Sequence, residues 1–267
     1  MDLELKGKIA VIIGGSKGIG FATAREFLLE GAQVAICARK ADELREAERK
    51  LAGFGEIYTQ CVDATIDTQL YDFAAHVHEH FGSIDCWVNN VGTSGYRSGE
   101  AYTPDEVEFV TSACFKSTVY GCQAAFQYMK DHGGVIVNIS SLAARCATAG
   151  RATLYGPMKA AINSLTKTFA GEYAAYGVRV VGIMPGFTAT PLVKSTISPE
   201  DLAYNVHGTL LRRLAEPEEI AKPVVFLASG AASYMTGSVL EVSGGRAEIL
   251  NPSYSYDKKE KESNKRK

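Results

Sequence analysis

Short apolar runs alternate with longer segments of helical periodicity along most of the chain. The first run, residues 8–13, is rich in β-branched side chains and ends in glycine, which is typical of a buried parallel strand. Further strands are predicted at residues 33–38, 57–62, 84–88, 135–139, 178–183 and 238–242. Helices are predicted at residues 19–30, 42–51, 68–81, 104–129, 155–176 and 218–228. This alternation predicts an α/β domain in which helices cover both faces of a parallel sheet of about seven strands.

The periodic pattern ends near residue 245, and the residues that follow are polar and of mixed charge. We therefore expect one folded domain, residues 1–250, followed by a mobile tail, residues 251–267. Two aromatic residues of this tail, Tyr254 and Tyr256, are candidates for holding its first part against the domain or a neighbouring subunit.

The composition is that of a soluble globular protein, with 46% apolar and 22% charged residues in a chain of 267. The net charge of -2 gives no reason to expect nucleic acid as a partner. We recognise no signal peptide, and the apolar run at residues 9–13 is too short to span a bilayer. The six cysteines are scattered and none lies in a C-x-x-C motif, which favours reduced thiols and a cytoplasmic location.

Gly14, Gly18 and Gly20 lie between the first predicted strand and the first helix. Glycines at this position allow a tight turn and let backbone N–H groups approach a pyrophosphate at the helix N-terminus. An ordinary glycine-rich turn is the alternative interpretation. We predict a dinucleotide site here, formed by the glycines together with Ser16, Lys17 and Ile19.

The second predicted strand ends in Ala38, Arg39 and Lys40, where an acidic residue would select NAD by binding the ribose hydroxyls. A guanidinium binds a phosphate bidentately, and Lys17 lies on the same side of the site. Two cations and no acid favour a 2′-phosphate, so NADP(H) is the predicted cofactor. Alternatively, Lys17, Arg39 and Lys40 are only solvated surface charges.

Polar residues also follow the other strands, at the edge where parallel sheets bind ligands. Asp63 and Ala64 follow the third strand and Asn89-Asn90-Val91-Gly92 the fourth, while Ser140 and Ser141 end the strand at 135–139. Tyr155 and Lys159 are four residues apart on a predicted helix and therefore share a face. We expect the ammonium group of Lys159 to lower the pKa of the Tyr155 phenol, which then exchanges a proton with an alcohol or ketone.

These motifs, in this order, resemble the classical short-chain dehydrogenases/reductases. The resemblance extends from about residue 5 to residue 245 and includes Pro185-Gly186 with Thr190 five residues after the proline. It implies a single Rossmann-type, doubly wound domain, assembled as a homotetramer or homodimer. It also implies hydride transfer between a nicotinamide and a small-molecule alcohol or ketone.

The resemblance further implies a role for each matching residue. Tyr155 is similar to the acid/base, and Lys159 to the residue that lowers its pKa and holds the nicotinamide ribose. Ser141, rather than Ser140, is similar to the donor that orients the carbonyl. Further cofactor contacts are implied for Asp63, Ala64, Asn90, Val91, Gly92, Pro185, Gly186, Thr188 and Thr190.

The chain departs from the family pattern at several positions. Ile13 replaces a threonine, Val91 replaces an alanine, and the interval from Ser141 to Tyr155 is one residue longer than is common. No asparagine occurs between Val91 and Val137, where the family has one that links the lysine to solvent through a water. Cys114 or Ala113 takes its place. The alternatives are a backbone carbonyl in this role, a hydroxyl from Ser112 or Ser117, or a slower relay.

Residues 192–214 are expected to form an apolar lid, which suits an apolar or bulky substrate. The general likeness is to bacterial hydroxysteroid dehydrogenases, although reductases of sugars, polyols, quinones and 3-oxoacyl groups share the scaffold. A protein that binds NADP(H) without turning over a substrate is the alternative from another functional class. His76 and His80 share a predicted helix face, but no further ligand is evident, so we expect no metal site.

Overall fold

The computed structural model describes residues 2–147 and 153–265. Seven strands form one sheet in the order β3-β2-β1-β4-β5-β6-β7, and every pair of neighbours is parallel. The strands are β1 Ile9–Ile13, β2 Gln33–Ala38, β3 Ile57–Cys61, β4 Cys86–Asn89, β5 Gly134–Ile139, β6 Val178–Pro185 and β7 Val239–Val242. The fold class predicted from the sequence is therefore confirmed.

Helices cover both faces of this sheet. They are α1 Gly18–Leu29, α2 Ala41–Leu51, α3 Asp67–Phe81, α4 Pro104–Thr111, α5 Ser117–Met129, α6 Tyr155–Tyr173, α7 Pro191–Thr196, α8 Pro199–His207, α9 Pro217–Ala228 and α10 Tyr254–Asn264. Buried side chains of α1, α2 and α9 pack on one face, and those of α3, α5 and α6 on the other. Alternate residues of β1 enter opposite layers, which explains why this strand is apolar throughout.

The order of the strands reverses between β1 and β4, because β2 and β3 lie on one side of β1 while β4 and β5 lie on the other. Ligands of open α/β sheets bind in the crevice outside the strand ends at such a point. The glycine segment that follows β1 and the asparagines that end β4 both lie at this crevice. The fold therefore brings the predicted cofactor motifs to one edge.

The helix predicted over 104–129 contains a wider turn at Ser112–Lys116, where the hydrogen bonds are of the π type. Two hydroxyl groups accompany this turn: Ser117 Oγ donates to the Ala113 carbonyl and Thr118 Oγ1 to the Cys114 carbonyl, each at 2.8 Å. Hydroxyls that bond back to the preceding turn satisfy carbonyl groups that a wider turn exposes. The sequence pattern did not predict this interruption, because the apolar spacing continues through it.

The C-terminal segment also differs from expectation, since Tyr254–Asn264 is helical. No residue of this helix is buried. A helix without an apolar face leaves no periodic signal in a sequence. Tyr256 does hold the segment against the domain, because its hydroxyl donates to the Leu210 carbonyl at 2.7 Å. In the described ranges, none of the helices has the length and apolarity needed to cross a membrane.

Candidate active site

The segment from Gly14 to Gly20 forms a close turn between β1 and α1. Gly14 and Gly18 have φ angles of 79° and 56°, a conformation that favours glycine. A Cβ atom on Gly20 would lie 2.5 Å from Asn90 Nδ2, and one on Gly15 would lie 2.6 Å from the Ile36 side chain. Larger residues at these positions would therefore fill the turn and prevent the close backbone approach that a dinucleotide requires.

Two other segments of the chain contact this glycine turn. Asn90 Nδ2 donates to the Gly14 carbonyl at 3.0 Å, which links the end of β4 to the end of β1. A Cβ on Gly18 would lie 3.2 Å from Thr190 Cγ2, so the segment after β6 reaches the same turn. Thr190 also caps α7, because its hydroxyl accepts a hydrogen bond from the Val193 N–H group. Residues predicted to contact one cofactor thus surround one cradle, and a dinucleotide fits it.

The cationic residues expected at the adenosine ribose lie at one corner of the crevice. Lys17 Nζ and Lys40 Nζ both pair with Glu43 Oε1, at 2.9 and 3.2 Å. Arg39 is exposed, and no ion pair to its guanidinium is found in residues 2–147 or 153–265. Asp63, which follows β3, accepts hydrogen bonds from the backbone and hydroxyl of Thr65 with its Oδ1. The structure therefore groups the predicted cations and adds an acid that the sequence interpretation missed.

A buried chain of polar side chains joins β4, β5 and α6 below the crevice. Asn89 Oδ1 accepts from Trp87 Nε1 at 2.8 Å, and Asn89 Nδ2 donates to Asn138 Oδ1 at 2.9 Å. Asn138 Nδ2 in turn donates to Thr166 Oγ1 at 3.0 Å. These groups satisfy one another inside the core, so they fix the register between the two strand ends and the helix that carries Tyr155 and Lys159.

The two serines that follow β5 have different partners. Ser140 is buried and its hydroxyl donates to the Lys159 carbonyl at 3.1 Å, which anchors α6 to the strand end. Ser141 is half-buried, and its side chain is the polar neighbour that lowers the pKa of the Tyr155 phenol. Ser141 Oγ also accepts from the Ala143 N–H group at 3.2 Å. Ser141, the serine chosen from the family resemblance, is therefore the one that meets the phenol.

Lys159 is almost fully buried beneath this pair, with 2% of its surface exposed. Its Nζ donates to the Ile139 carbonyl at 2.8 Å and lies 5.6 Å from the centre of the Tyr155 ring. A Cβ on Gly92 would lie 2.9 Å from Nζ, so glycine at this position leaves room for the ammonium group. The structure thus brings Gly92, Ser141, Tyr155 and Lys159 together.

The pKa values in this site are set by burial. Burial raises the pKa of Tyr155 to about 12, against the lowering effect of its hydrogen bond with Ser141. Burial also lowers the pKa of Lys159. Loss of solvation outweighs the effect of Ser141, and the Lys159 ammonium group is directed to the Ile139 carbonyl, so the lowering of the phenol's pKa by Lys159 stays a prediction.

Cys114, which with Ala113 is one of two residues at the position where the family has an asparagine, lies in the π-type turn. Its Sγ accepts a hydrogen bond from Thr93 N at 3.4 Å and donates to Thr93 O at 3.3 Å, so the thiol holds the segment after β4. Neither alternative hydroxyl faces Lys159: that of Ser112 donates to Glu108 and that of Ser117 to the Ala113 carbonyl. A backbone carbonyl in this role and a slower relay are the two alternatives that stay open.

The segment expected to cover the substrate consists of α7, α8 and the residues up to Leu214. Several of its large apolar side chains are exposed, among them Leu192, Tyr204 and Leu211. Phe187, just before this segment, is exposed as well. Arg145, four residues after Ser141, pairs through its Nε with Glu241 Oε2 at 3.1 Å.

A family model described as enoyl-(acyl carrier protein) reductase matches residues 14–247, which include the glycine turn, the Ser141–Tyr155–Lys159 group and the lid. The chain belongs to the classical short-chain dehydrogenase/reductase family. The order of strands and the position of the site at their carboxyl ends agree with this assignment.

Relatives of this short-chain dehydrogenase/reductase act on different substrates. A 3alpha-hydroxysteroid dehydrogenase from Mediterraneibacter gnavus is 35% identical, with 91% of this chain and 98% of that protein covered. The structure of a 7 alpha-hydroxysteroid dehydrogenase complexed with NADH and 7-oxo glycochenodeoxycholic acid has a TM-score of 0.87 and 32% identity, covering 94% and 98%. L-Sorbose reductase from Gluconobacter frateurii, complexed with NADPH and L-sorbose, has a TM-score of 0.86 and 31% identity, covering 94% and 100%.

Proposed function

We propose that this chain is an NADP(H)-dependent oxidoreductase that interconverts a secondary alcohol and a ketone, on an apolar or bulky substrate such as a hydroxysteroid. The observation that carries the proposal is the placement of Ser141 next to the Tyr155 phenol, with Lys159 Nζ 5.6 Å from the centre of the same ring, at the sheet edge that also carries the glycine turn. A binding protein without turnover has no need for a phenol and a hydroxyl placed together in this way.

The three residues have distinct roles in the proposed reaction. NADPH, when bound, supplies the hydride. Tyr155 gives its proton to the carbonyl oxygen of the substrate as general acid, and Ser141 orients that oxygen and stabilises the charge that develops on it. Lys159 supports α6 against the Ile139 carbonyl and presents positive charge beneath the phenol. A pKa of about 12 keeps Tyr155 protonated at neutral pH, which favours its action as an acid and hence ketone reduction.

The cofactor choice rests on the corner formed by Lys17, Arg39 and Lys40. Lysine and arginine side chains suit a 2′-phosphate, and arginine can bind one bidentately. No acidic residue ends β2, the position from which a carboxylate would bind the ribose hydroxyls of NADH. These features support NADP(H).

The substrate class rests on the exposed apolar side chains of the lid, because an apolar ketone buries such surface on binding. The relation to two hydroxysteroid dehydrogenases supports the same choice. A polyol or sugar reductase is the second candidate, supported by the L-sorbose reductase and by Arg145 and Glu241 as hydrogen-bonding groups. Reductases of 3-oxoacyl groups and of quinones are further options.

Spectrophotometric oxidation of NADPH in the presence of steroid ketones, quinones, ketoses and short ketones tests this function. We expect turnover of the steroid ketones at higher kcat/KM than that of L-sorbose, and no turnover by Tyr155→Phe, which keeps the ring but removes the acidic proton. Tight NADPH binding without turnover of any carbonyl would instead favour the non-catalytic alternative. Preference for L-sorbose would favour the sugar reductase.

The assembly and location proposed for this protein are those that the family resemblance and the cysteines suggest. We propose a homotetramer or homodimer in the cytoplasm. All six cysteines are free thiols, four of them buried, which is compatible with a reducing compartment. Light scattering after size-exclusion chromatography measures the assembly.

A further inference from the structure

Glu43 connects the two lysines of the proposed phosphate corner. It lies in the first turn of α2. Its Oε1 forms ion pairs with Lys17 Nζ, from the glycine turn, at 2.9 Å and with Lys40 Nζ, after the end of β2, at 3.2 Å. The Glu43 side chain is 28% exposed, against 55% for Lys17 and 75% for Lys40, so the carboxylate is the least exposed of the three charged groups. One acid thus engages two of the three cations that the proposed function assigns to the 2′-phosphate.

We propose that Glu43 is a specificity-determining residue that reduces the preference for NADPH over NADH by competing with the 2′-phosphate for Lys17 and Lys40. This inference rests on the proposed function, since it concerns the same cofactor site. A phosphate that approaches the two ammonium groups must either displace the carboxylate or lie close to its negative charge, and both oppose binding. NADH carries a hydroxyl in place of this phosphate, so its binding leaves both ion pairs intact.

The charges at this corner are present at neutral pH. Hydrogen bonds from Lys17 and Lys40 hold the pKa of Glu43 below its usual value, so the carboxylate is ionised. Arg39 does not take part in the pairs with Glu43 and therefore stays available to a phosphate. The site therefore has two cations that pair with Glu43, Lys17 and Lys40, and one that does not, Arg39. Such a site accepts both cofactors, with a moderate preference for NADPH.

An acid in the first turn of a helix also stabilises that helix through the helix dipole. Substitution of Asp42 distinguishes this effect on the stability of α2 from the proposed effect on NADPH binding. Asp42 lies in the same turn and carries the same charge, but it pairs with Arg45 of its own helix and not with the lysines. The variant Asp42→Asn is therefore a matched control for the loss of one negative charge at the start of α2.

The experiment measures the dissociation constants of NADPH and NADH for the full-length protein and for Glu43→Gln, Asp42→Asn and Arg39→Asp. We expect Glu43→Gln to tighten NADPH binding by about three- to tenfold, because two partly exposed ion pairs no longer oppose the phosphate. NADH binding should stay within about twofold, since NADH does not compete for the lysines. Asp42→Asn should leave the ratio of the two constants unchanged. High ionic strength should reduce the difference between Glu43→Gln and the unsubstituted protein.

An unchanged or weakened NADPH affinity in Glu43→Gln, in a variant that melts like the unsubstituted protein, would overturn the proposal and make Glu43 a residue that orients the lysines. An equal effect of Asp42→Asn would also overturn it. Failure of the proposed cofactor choice has a different signature. In that case the unsubstituted protein prefers NADH and Arg39→Asp leaves the ratio unchanged. A selective gain of NADPH binding by Glu43→Gln would still support the inference about Glu43.

Discussion

Tyr155 combines a reactive phenol with an environment that resists its ionisation. Burial raises its pKa to about 12, and the hydrogen bond with Ser141 offsets only part of that effect. A proton donor for ketone reduction must be protonated, whereas a proton acceptor for alcohol oxidation must be a phenolate. The same pKa therefore has opposite consequences for the two directions of the proposed reaction.

This difference predicts the pH dependence of the enzyme. With a pKa of about 12 the phenol is almost entirely protonated at neutral pH, so kcat/KM for ketone reduction should be nearly constant there. The phenolate fraction grows about tenfold for each pH unit in this range, so kcat/KM for alcohol oxidation should rise with pH until the protein unfolds. Initial rates in both directions with one alcohol/ketone pair measure these profiles. An oxidation rate that levels off near neutral pH would show that the bound state lowers the pKa of Tyr155.

At the level of single residues, the sequence predicted which side chains lie together but not the direction in which the pKa of Tyr155 is shifted. Ser141, Tyr155 and Lys159 lie together as the spacing and the family resemblance implied. The direction of the Tyr155 pKa shift depends on burial by segments distant in sequence, which no local pattern reports. Glu43 was missed for a related reason. An acid in the first turn of a helix commonly stabilises the helix dipole, and its ion pair with Lys17 of the distant glycine turn is visible only in the structure.

At the level of elements, α5 packs against β4 through a position without a side chain. A Cβ on Gly121 would overlap Asn89 Oδ1 and lie 3.0 Å from Trp87 Nε1, so glycine permits the buried hydrogen-bond chain that runs to Asn138 and Thr166. Helix propensity alone would favour alanine at this position by about 1 kcal/mol. Close packing against a buried amide outweighs propensity here.

We therefore expect Gly121→Ala to destabilise the protein by about 2 kcal/mol, since the new methyl group must displace a buried hydrogen-bonded side chain. Gly171 in α6 is the matched control, because a Cβ there would have no atom within 4 Å apart from its chain neighbours and the backbone of its own helix. Gly171→Ala should raise stability by about 0.5 to 1 kcal/mol through helix propensity. Urea denaturation measures both variants. Equal stabilisation by the two substitutions would contradict the proposed role of the Asn89 contact.

The sequence predicted the elements of the sheet well because each strand is a continuous apolar run between polar turns. The prediction from sequence failed at positions where side-chain hydrogen bonds or surface contacts determine the conformation of the backbone. The π-type turn at Ser112–Lys116 is accompanied by two hydroxyl-to-carbonyl bonds, and the helix Tyr254–Asn264 exposes every side chain. Neither feature changes the spacing of apolar residues, which is the signal that sequence interpretation uses.

At the level of the whole molecule, the residues that follow β7 are bound to the lid. Arg246 lies 4.9 Å from the centre of the Tyr204 ring and donates to the carbonyls of Tyr204 and Asn205 at the end of α8, at 3.1 and 3.0 Å. A Cβ on Gly208 would collide with this guanidinium, so glycine leaves space for it. Arg212 donates to Ser253 Oγ at 2.9 Å and lies 4.5 Å from the Tyr256 ring centre. These contacts hold α8 and the residues after it against the chain that follows β7.

Removal of the Arg246 side chain should therefore loosen the lid without disturbing the cofactor site. In Arg246→Ala we expect faster hydrogen–deuterium exchange of the amides in residues 199–212 and a KM for the ketone raised about two- to tenfold, because about 1 kcal/mol of charge-assisted and cation–π contacts to α8 is lost. The dissociation constant of NADPH should stay unchanged. Arg49→Ala, which removes an exposed arginine paired with Glu46 on α2, is the control and should change neither quantity. Exchange at residues 199–212 that is equal in Arg246→Ala and the unsubstituted protein would show that the lid is held by its own packing and not by Arg246.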